Sequence, residues 1–450
     1  MMIKNQLTLP DITPTLSRMW RAIVSSAPKM IMWMGICWLW MGYPYAAAET
    51  FDEAKVWRYT QTHHPLYRRF KKQLHVTKAT RKGQQSFPTN PTLSFEGGVQ
   101  SPSSPTGNSA GAWMPDIEAG FSWGIPIGGR WQKSKQLAKQ RYLAAKLVFS
   151  LQTLRLYQRV QQSLYDYQRY KKTVEIQNKI AGFHQKMNAL IQKREQNGVG
   201  NKLNTQMVQI EALRTRQESW QAKMQLVTAR RKLQQAMGWG QGTLPTFTVG
   251  LAPKMGTLPT LQTILAGIPQ HPRMRLAHQQ QKIVEAQLKL AKSRGIPDLT
   301  LTATYAQSMG AHIIRGGVSM PIPVLWRNQP AVQKYSAALL RQKAHTAYVR
   351  LTIRNQLRNA YRRYTLAQRA LQHVKTALLP KLKKRSAMFA QGFKEGQLTL
   401  IQWLLAQQSL TRGQLSYLQA VKQATNAYFA LLWARGGTPS LRAHKAHIKE

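Results

Sequence analysis

Apolar and polar residues alternate along four short segments of the chain, and these segments come in two pairs. The first pair is predicted to form strands at about 92–100 and 115–125, and the second pair strands at about 297–306 and 312–323. A period of two with one apolar and one polar face is typical of the wall of a transmembrane barrel. A soluble hairpin packed on a helix gives the same pattern, so the alternation leaves both structures open.

Long helical patterns follow each strand pair. After the first pair they cover about 130–196 and 204–237, and after the second about 331–391 and 398–435, all rich in Gln, Lys, Arg, Leu and Ala. At 1.5 Å per residue the first helix would be roughly 100 Å long, whereas the mean globular helix has only about 11–12 residues. Such helices need neighbours, and a tube built from several chains, a plain helical bundle or a filament-like coiled coil would supply them.

The same elements recur in the same order, which indicates an internal duplication. Gly120–Arg130 matches Gly317–Arg327 at an offset of 197 (317 minus 120), with Gly, Ser, Ile-Pro and Arg in common. Upstream, the offset is larger by about ten residues, and a Ser/Pro/Gly-rich loop at 100–112 accounts for the difference. The upstream matches are His64-Pro65 with His271-Pro272, and Pro91–Leu93 with Pro297–Leu299.

Each repeat is therefore predicted to hold a short helix, a β-hairpin and a long helical hairpin. The predicted ranges are 49–237 for the first repeat, 238–259 for a Gly/Pro-rich connector, 260–435 for the second repeat and 436–450 for a basic tail. The short helices are expected at about 52–81 and 258–293. Gly200 and Gly396 are expected at the turns of the helical hairpins, and Pro380 is expected to kink its helix.

The N-terminal segment has the pattern of a secretory signal. An uncharged apolar run, Met30–Met41, follows basic residues and precedes Ala46–Ala48. It is shorter than the roughly 20 residues that a membrane-spanning helix needs. We predict a signal peptide at 1–48 with cleavage between Ala48 and Glu49, with Met19 as an alternative start to Met1. A membrane anchor is the alternative interpretation.

The charge is strongly basic, with 65 Lys and Arg against 16 Asp and Glu and a formal net charge of +49. Such a balance indicates either a polyanionic partner or a host that lives in acid. The only cysteine, Cys37, excludes an internal disulfide and a Cys-based zinc site. Neither a phosphate-binding loop nor a nucleophile elbow nor a zinc-protease motif is present, so no catalytic residue, cofactor or metal site is predicted. No nucleic-acid-binding module is visible either.

Three segments resemble the TolC-like outer-membrane efflux family, and especially its CzcC-like heavy-metal-efflux branch. Phe51–Ala54 with His64-Pro65 resembles the opening helix of the family. Gly317–Gln329 resembles its passage from strand to helix, and Gly396–Gln407 its hairpin turn and following helix. The resemblance covers essentially the whole mature chain. The order of these motifs and the duplication make the match strong.

If the four strands lie in a membrane, they cannot close a barrel by themselves, because the smallest membrane barrels have 8, so several chains must share one. The resemblance implies a mainly α chain with a small β part, and a homotrimer with a 12-stranded β-barrel in outer-membrane lipid and an α-helical tunnel in the periplasm. It also implies a periplasmic adaptor, an inner-membrane pump and a passive duct without enzymatic activity. The implied cargo is heavy-metal ions or small toxic compounds.

The family often narrows its periplasmic mouth with acidic residues, and here Glu195 and Glu395 are the candidates beside the predicted turns. A basic lumen would favour anionic cargo and slow cations. Two alternative functions stay open at this point. One is an outer-membrane duct for protein secretion, and the other is a periplasmic basic coiled-coil protein that binds polyanions.

Overall fold

The computed structural model describes residues 50–100, 114–198, 201–240, 242–253, 255–256, 259–308 and 311–437. The predicted signal peptide with its cleavage site between Ala48 and Glu49 lies outside these residues, as do Gly200 and the part of the predicted tail beyond 437. Among the described residues, no helix is both long enough and apolar enough to cross a lipid bilayer.

The first half of the chain contains two short helices, a β-hairpin and two long helices. They are β1 (Thr50–Phe51), α1 (Glu53–His63), α2 (Pro65–Gly83), β2 (Thr92–Gln100), β3 (Met114–Ile125), α3 (Arg130–Gln196) and α4 (Lys202–Met237). The single helix predicted at 52–81 is wrong, because the chain breaks it at His64-Pro65. Proline lacks an amide N–H and has a fixed φ, so it begins a new helix more readily than it continues one.

The second half repeats this order with more interruptions. It contains β4 (Thr246–Phe247), α5 (Leu261–Ala266), α6 (Pro272–Ser293), β5 (Leu299–Ser308), β6 (Ala311–Ser319), α7 (Gln329–His373), α8 (Leu379–Lys394) and α9 (Leu400–Arg435). The prediction of a mainly α chain with a small β part is confirmed. The short strand β4 lies in the predicted connector 238–259, and two residues are too few to give a periodic signal.

Prolines explain two further differences from the predicted bounds. The strand predicted at 312–323 ends at Ser319, since Pro321 cannot donate a ladder hydrogen bond. The helix predicted at 331–391 passes from α7 through a π-helical turn, Val374–Leu378, into α8. The turn lies directly before Pro380, whose ring would clash with the carbonyl four residues earlier in a regular α-helix.

The chain divides into two compact units. The smaller comprises, among the described residues, 50–51 and 243–248, where β1 pairs with β4 in parallel. The larger holds the sheet and all long helices. In it α4 packs on α3, α3 on α9 and α9 on α7, so α4 and α7 are the two ends of this row.

The main core of the larger unit lies between α6, α7 and α9. Ile353, Leu357 and Tyr364 of α7 are almost completely buried there against Met274 of α6 and Leu431 of α9. This core lies entirely within the second repeat, and the two repeats meet elsewhere. At the base of the sheet the guanidinium of Arg130 makes an ion pair of 2.5 Å with the carboxylate of Asp298. This contact joins the start of α3 to the segment that leads into β5.

The repeated His-Pro pairs join helices end to end. The Nδ1 atom of His64 accepts a hydrogen bond of 3.0 Å from the amide of Leu66 and so caps α2, while the same ring bonds to the backbone of Gln235 in the last turn of α4. Gly238 ends α4 with a left-handed φ of 69°. A Cβ atom at this glycine would lie 2.8 Å from Cα of His64, so the two helix ends need glycine in order to meet.

The second repeat builds the same joint between α6 and α9. Nδ1 of His271 accepts from the amide of Arg273 at 3.1 Å, and the ring bonds to the backbone of Trp433 and Ala434. Gly436 ends α9 with a φ of 89°. Each joint therefore satisfies orphan groups of two helix ends with one buried imidazole.

These joints should lose stability in acid. Burial, helped by nearby Arg273, lowers the pKa of His271 to about 4, against about 6.5 in an unfolded chain. Between these pH values only the unfolded chain binds the proton, so the stabilisation is complete above pH 6.5 and is lost as the pH falls toward 4. The coupling amounts to roughly 3 kcal/mol.

We expect the melting temperature of the detergent-extracted protein to fall between pH 7 and pH 4. In His271→Asn the fall should be smaller, because Asn caps a helix but does not titrate in this range. An equal fall in the wild type and in the variant would contradict the role given to His271.

Candidate functional site: the sheet faces and the hairpin ends

The sheet has one apolar face. Its strands are antiparallel in the order β2–β3–β5–β6. The register aligns Phe95, Ala119, Tyr305 and Ile314 across all four strands, and residues two positions apart share a face. Ile314 is 84% exposed and Phe95 is 73% exposed. The same face also carries Leu93, Val99, Ile117, Phe121, Trp123, Leu301 and Val318.

The opposite face of the sheet is polar. Its central row is Ser94, Gly120, Thr304 and Arg315, one from each strand. The glycines that recur in the two repeats face hydroxyl groups here. A Cβ atom at Gly120 would lie 2.6 Å from Oγ of Ser94, and one at Gly317 would lie 2.7 Å from Oγ1 of Thr302. A larger side chain at either glycine would therefore clash with the hydroxyl group on the neighbouring strand, which explains why both repeats have glycine at this position.

Carboxylates gather on this polar face in spite of the basic composition. Glu96 lies directly opposite Glu118, and Asp116 lies opposite Gly98 on the same face. Within the described chain neither glutamate forms an ion pair with a Lys or Arg. Like charges in directly opposite positions repel each other, and a row of them favours cations nearby.

The alternation along each strand does not show that these carboxylates lie side by side, because Glu96 and Glu118 belong to different strands. The register of β2 with β3 was the signal that could have found this carboxylate row. The described residues contain no group of three or more His, Cys, Asp or Glu side chains arranged to hold a metal ion. The row is therefore a charged surface and does not form a chelating site.

Among the described residues, the sheet and the helical row both end in sides that no other element covers. Strands β2 and β6 pair on one edge only. Helix α4 buries one face on α3 and exposes large apolar side chains on the other. They are Leu203, Met207, Ile210, Leu213, Trp220, Met224 and Val227. Helix α7, at the other end of the row, exposes Leu340, Tyr348, Leu351 and Leu366.

The predicted mouth residues lie at the ends of the helical hairpins. Glu195 is half-buried in the last turn of α3, and its carbonyl accepts from the amide of Gly198 at 3.0 Å. Glu395 is exposed just after α8, and its carboxylate accepts from Gln391 at 2.9 Å. Gly396 has a left-handed φ of 75°, as does Gly198 in the first repeat, whereas the predicted turn residue Gly200 lies outside the described residues.

An aromatic and aliphatic cluster holds the hairpins together near these ends. Val208 of α4 and Leu404 of α9 pack on Met187 and Ile191 of α3. The indole of Trp403 stacks on Phe393 with ring centres 4.6 Å apart, and it meets Phe183 edge-on at 4.9 Å. This packing joins the two repeats near their turns.

Two glycines should respond oppositely to alanine. Gly396→Ala forces a Cβ atom into the left-handed region and should destabilise the protein by about 1–2 kcal/mol. Gly182→Ala lies inside α3 with no heavy atom within 4 Å of the new Cβ, so it should stabilise the helix by about 0.5–1 kcal/mol. Thermal melting of both variants checks this, and a gain in stability for Gly396→Ala would contradict the turn geometry.

The fold matches solved bacterial membrane proteins. The structure superposes on CusC with a TM-score of 0.69 at 16% identity, over 86% of this chain and 92% of that one. It superposes on the outer membrane protein VceC of Vibrio cholerae with a TM-score of 0.67 at 15% identity, over 86% and 96%. The open state of the MtrE outer membrane channel of Neisseria gonorrhoeae gives 0.68 at 15% identity, over 86% and 89%. The fold is thus that of outer-membrane channels.

The sequence places the chain more narrowly. The model of the outer membrane efflux protein family matches residues 73–239 and 268–437, and the chain belongs to this family. Its location is the outer membrane. The chain is 24% identical to the cobalt-zinc-cadmium resistance protein CzcC of Cupriavidus metallidurans over an alignment of 229 residues. This alignment covers 48% of the present chain. The alignment spans about half, 54%, of that curated relative.

Proposed function

We propose that three copies form a passive exit duct through the outer membrane. The four strands of each copy contribute to one twelve-stranded barrel, and the long helices form a tunnel in the periplasm. The apolar face of the sheet contacts lipid, and the polar face lines the lumen. The observation that carries this proposal is a sheet with an exposed apolar face, whose outer strands β2 and β6 have no further strand partner in the part of the chain that the structure describes.

The edge strands support an association of several copies. Backbone groups without hydrogen-bond partners cost several kcal/mol each in lipid, so an open sheet does not survive there. Four strands are below the minimum of 8 for a membrane barrel, whereas three copies supply twelve. The exposed apolar sides of α4 and α7 support the same arrangement, because a ring of copies would cover both of them.

Partners and energy come from outside the chain. We propose that a periplasmic adaptor contacts the hairpin ends near Glu195 and Glu395 and that an inner-membrane pump drives transport. Membership in the efflux family supports these partners. The chain itself catalyses no reaction in this proposal, and it needs no cofactor.

The proposed cargo is cationic, with heavy-metal ions first. The name of the similar CzcC protein, a cobalt-zinc-cadmium resistance protein, supports this choice. The carboxylates Glu96, Asp116 and Glu118 on the polar face support it physically, because three copies would present nine carboxylates to the lumen. The overall basic charge alone favours anions, so the local charge of the lumen is the deciding quantity.

Conductance in planar lipid bilayers tests the duct. Purified protein should insert and give discrete channels with stable conductance in potassium chloride. A protein that never conducts, while it stays folded in detergent, would contradict the duct. The polyanion-binding alternative predicts that result.

The carboxylate row should set the ion preference of these channels. The double variant Glu96→Gln with Glu118→Gln removes six charges from a trimer, and the ratio of potassium to chloride permeability should fall at least about twofold. Reversal potentials in a salt gradient measure the ratio. Glu175→Gln is the matched control, since it removes a carboxylate that is already paired with Lys172 on α3, away from the sheet. An unchanged ratio in the double variant would place the row outside the ion path.

The apolar side of α4 should carry contacts between copies. Trp220→Glu replaces an exposed apolar side chain with a charge, and the trimer should dissociate at lower detergent or denaturant concentrations. Gln217→Glu adds the same charge on the same helix without loss of apolar surface. Native electrophoresis compares the two variants. Equal dissociation of both variants would assign the effect to charge on this side of α4, whereas trimers of Trp220→Glu as resistant as the wild type would leave α4 outside the interface.

A further inference from the structure

We infer that β6 of one copy pairs with β2 of the next copy in a defined register, with Ser319 opposite Glu96. The inference rests on the proposed trimer and names the residues at its strand interface. Both side chains belong to the polar face, so the pairing keeps apolar residues next to apolar residues around the ring.

The chain already contains this kind of contact once. Strand β3 of the first repeat pairs with β5 of the second, with Ser122 opposite Thr302. The ion pair of Arg130 with Asp298 joins the same two segments at the base of the sheet. In a closed ring the contact between copies pairs β6, from the second repeat of one copy, with β2, from the first repeat of the next. It therefore uses the same elements with the repeats exchanged.

The duplication converts one register into the other. Gly120–Arg130 corresponds to Gly317–Arg327, which makes Ser319 the counterpart of Ser122. Pro91–Leu93 corresponds to Pro297–Leu299, which makes Glu96 the counterpart of Thr302. The Ser122–Thr302 pair within one copy thus becomes a Ser319–Glu96 pair between copies.

Side-chain contacts at the strand-to-helix passage support the correspondence. The indole N–H of Trp131 donates to the carbonyl of Ser86 at 2.8 Å, and the amide of Asn328 donates to the carbonyl of Ala291 at 2.8 Å. Trp131 and Asn328 are counterparts at the same offset as the strands. Their acceptors lie close to the ends of α2 and α6, and at the upstream offset of 206 Ser86 corresponds to position 292, one residue from Ala291.

This register gives a reasonable strand tilt. A path through opposite residues runs from Ser94 across Gly120, Thr304 and Arg315 and reaches Gln100 of the next copy. The shift from 94 to 100 is about 20 Å along a strand, over a width of about 19 Å for four strands. The tilt is then about 45°, at the upper end of the ~35–45° of membrane barrels.

Slips by two residues are the competing registers, because they also keep the faces. The registers of the two hairpins differ by such a step. Ser122 lies opposite Thr92, whereas its counterpart Ser319 lies opposite Thr300, which is two residues beyond Asp298, the counterpart of Thr92. Pairing of Ser319 with Gly98 would raise the tilt to about 54°. Pairing with Ser94 gives about 35°, and the match of the prolines and leucines at the strand base argues against it.

Disulfide cross-linking distinguishes the three registers. In a Cys37→Ser background, Glu96→Cys with Ser319→Cys should give covalent dimers and trimers on non-reducing gels after mild oxidation. The two positions are three strand spacings apart within a chain, about 14 Å, whereas a disulfide needs Cα atoms within about 4.4–6.8 Å. A cross-link must therefore join two copies.

Three matched variants complete the experiment. Ser94→Cys with Ser319→Cys and Gly98→Cys with Ser319→Cys test the slipped registers, and diagonal neighbours about 7–8 Å apart should not cross-link. Ser122→Cys with Thr302→Cys is the counterpart within one chain. It should lose both free thiols without a change in mass on the gel, which shows that a pair with this geometry can oxidise.

The outcomes separate the register from the trimer. Cross-linking of the Glu96 variant alone supports the inference. If light scattering finds trimers but the Ser94 or Gly98 variant cross-links best, or none does, the register is wrong and the trimer stands. A monomeric mass for the Cys37→Ser parent would overturn the proposed trimer itself.

Discussion

Each of the outer strands β2 and β6 has a row of backbone N–H and C=O groups with no strand partner among the described residues, and the proposed assembly depends on pairing them. A sheet with one apolar face gains from lipid only if no edge is left open to it. One chain cannot meet this condition with four strands, and the helical row has the same problem at α4 and α7. The sheet and the helical row each lack a neighbour at a first-repeat element, β2 or α4, and at a second-repeat element, β6 or α7. A single symmetry operation that places the second repeat of one copy beside the first repeat of the next can therefore cover both.

The duplication explains why one symmetry operation suffices. Each repeat brings a helix start, a hairpin and a pair of long helices, and the contact between the repeats inside the chain is a template for the contact between chains. The His64 and His271 joints follow the same logic at another level. In each repeat one buried imidazole and one left-handed glycine join a helix from before the sheet to the end of a helix from after it.

Much of this fold could be predicted from periodicity and composition. The strand alternation, the proline-free run of α3 and the repeated motifs gave the element order, because each extends over many residues. Features confined to a few residues could not be predicted in this way. They are the break at His64-Pro65, the π turn before Pro380 and the two-residue strand β4. The carboxylate row escaped for a different reason. Glu96 and Glu118 are 22 positions apart in the sequence (118 minus 96), and only the register of the strands brings them together.

The number of copies in the membrane is the most direct test of the account. Native mass spectrometry of the wild-type protein, released from detergent after extraction from the outer membrane, counts the subunits without any mutation. We expect three copies and no stable monomer, because each outer strand needs a neighbouring strand. A folded monomer that persists in lipid-like surroundings would show that the edges are satisfied within one chain, and it would contradict the ring.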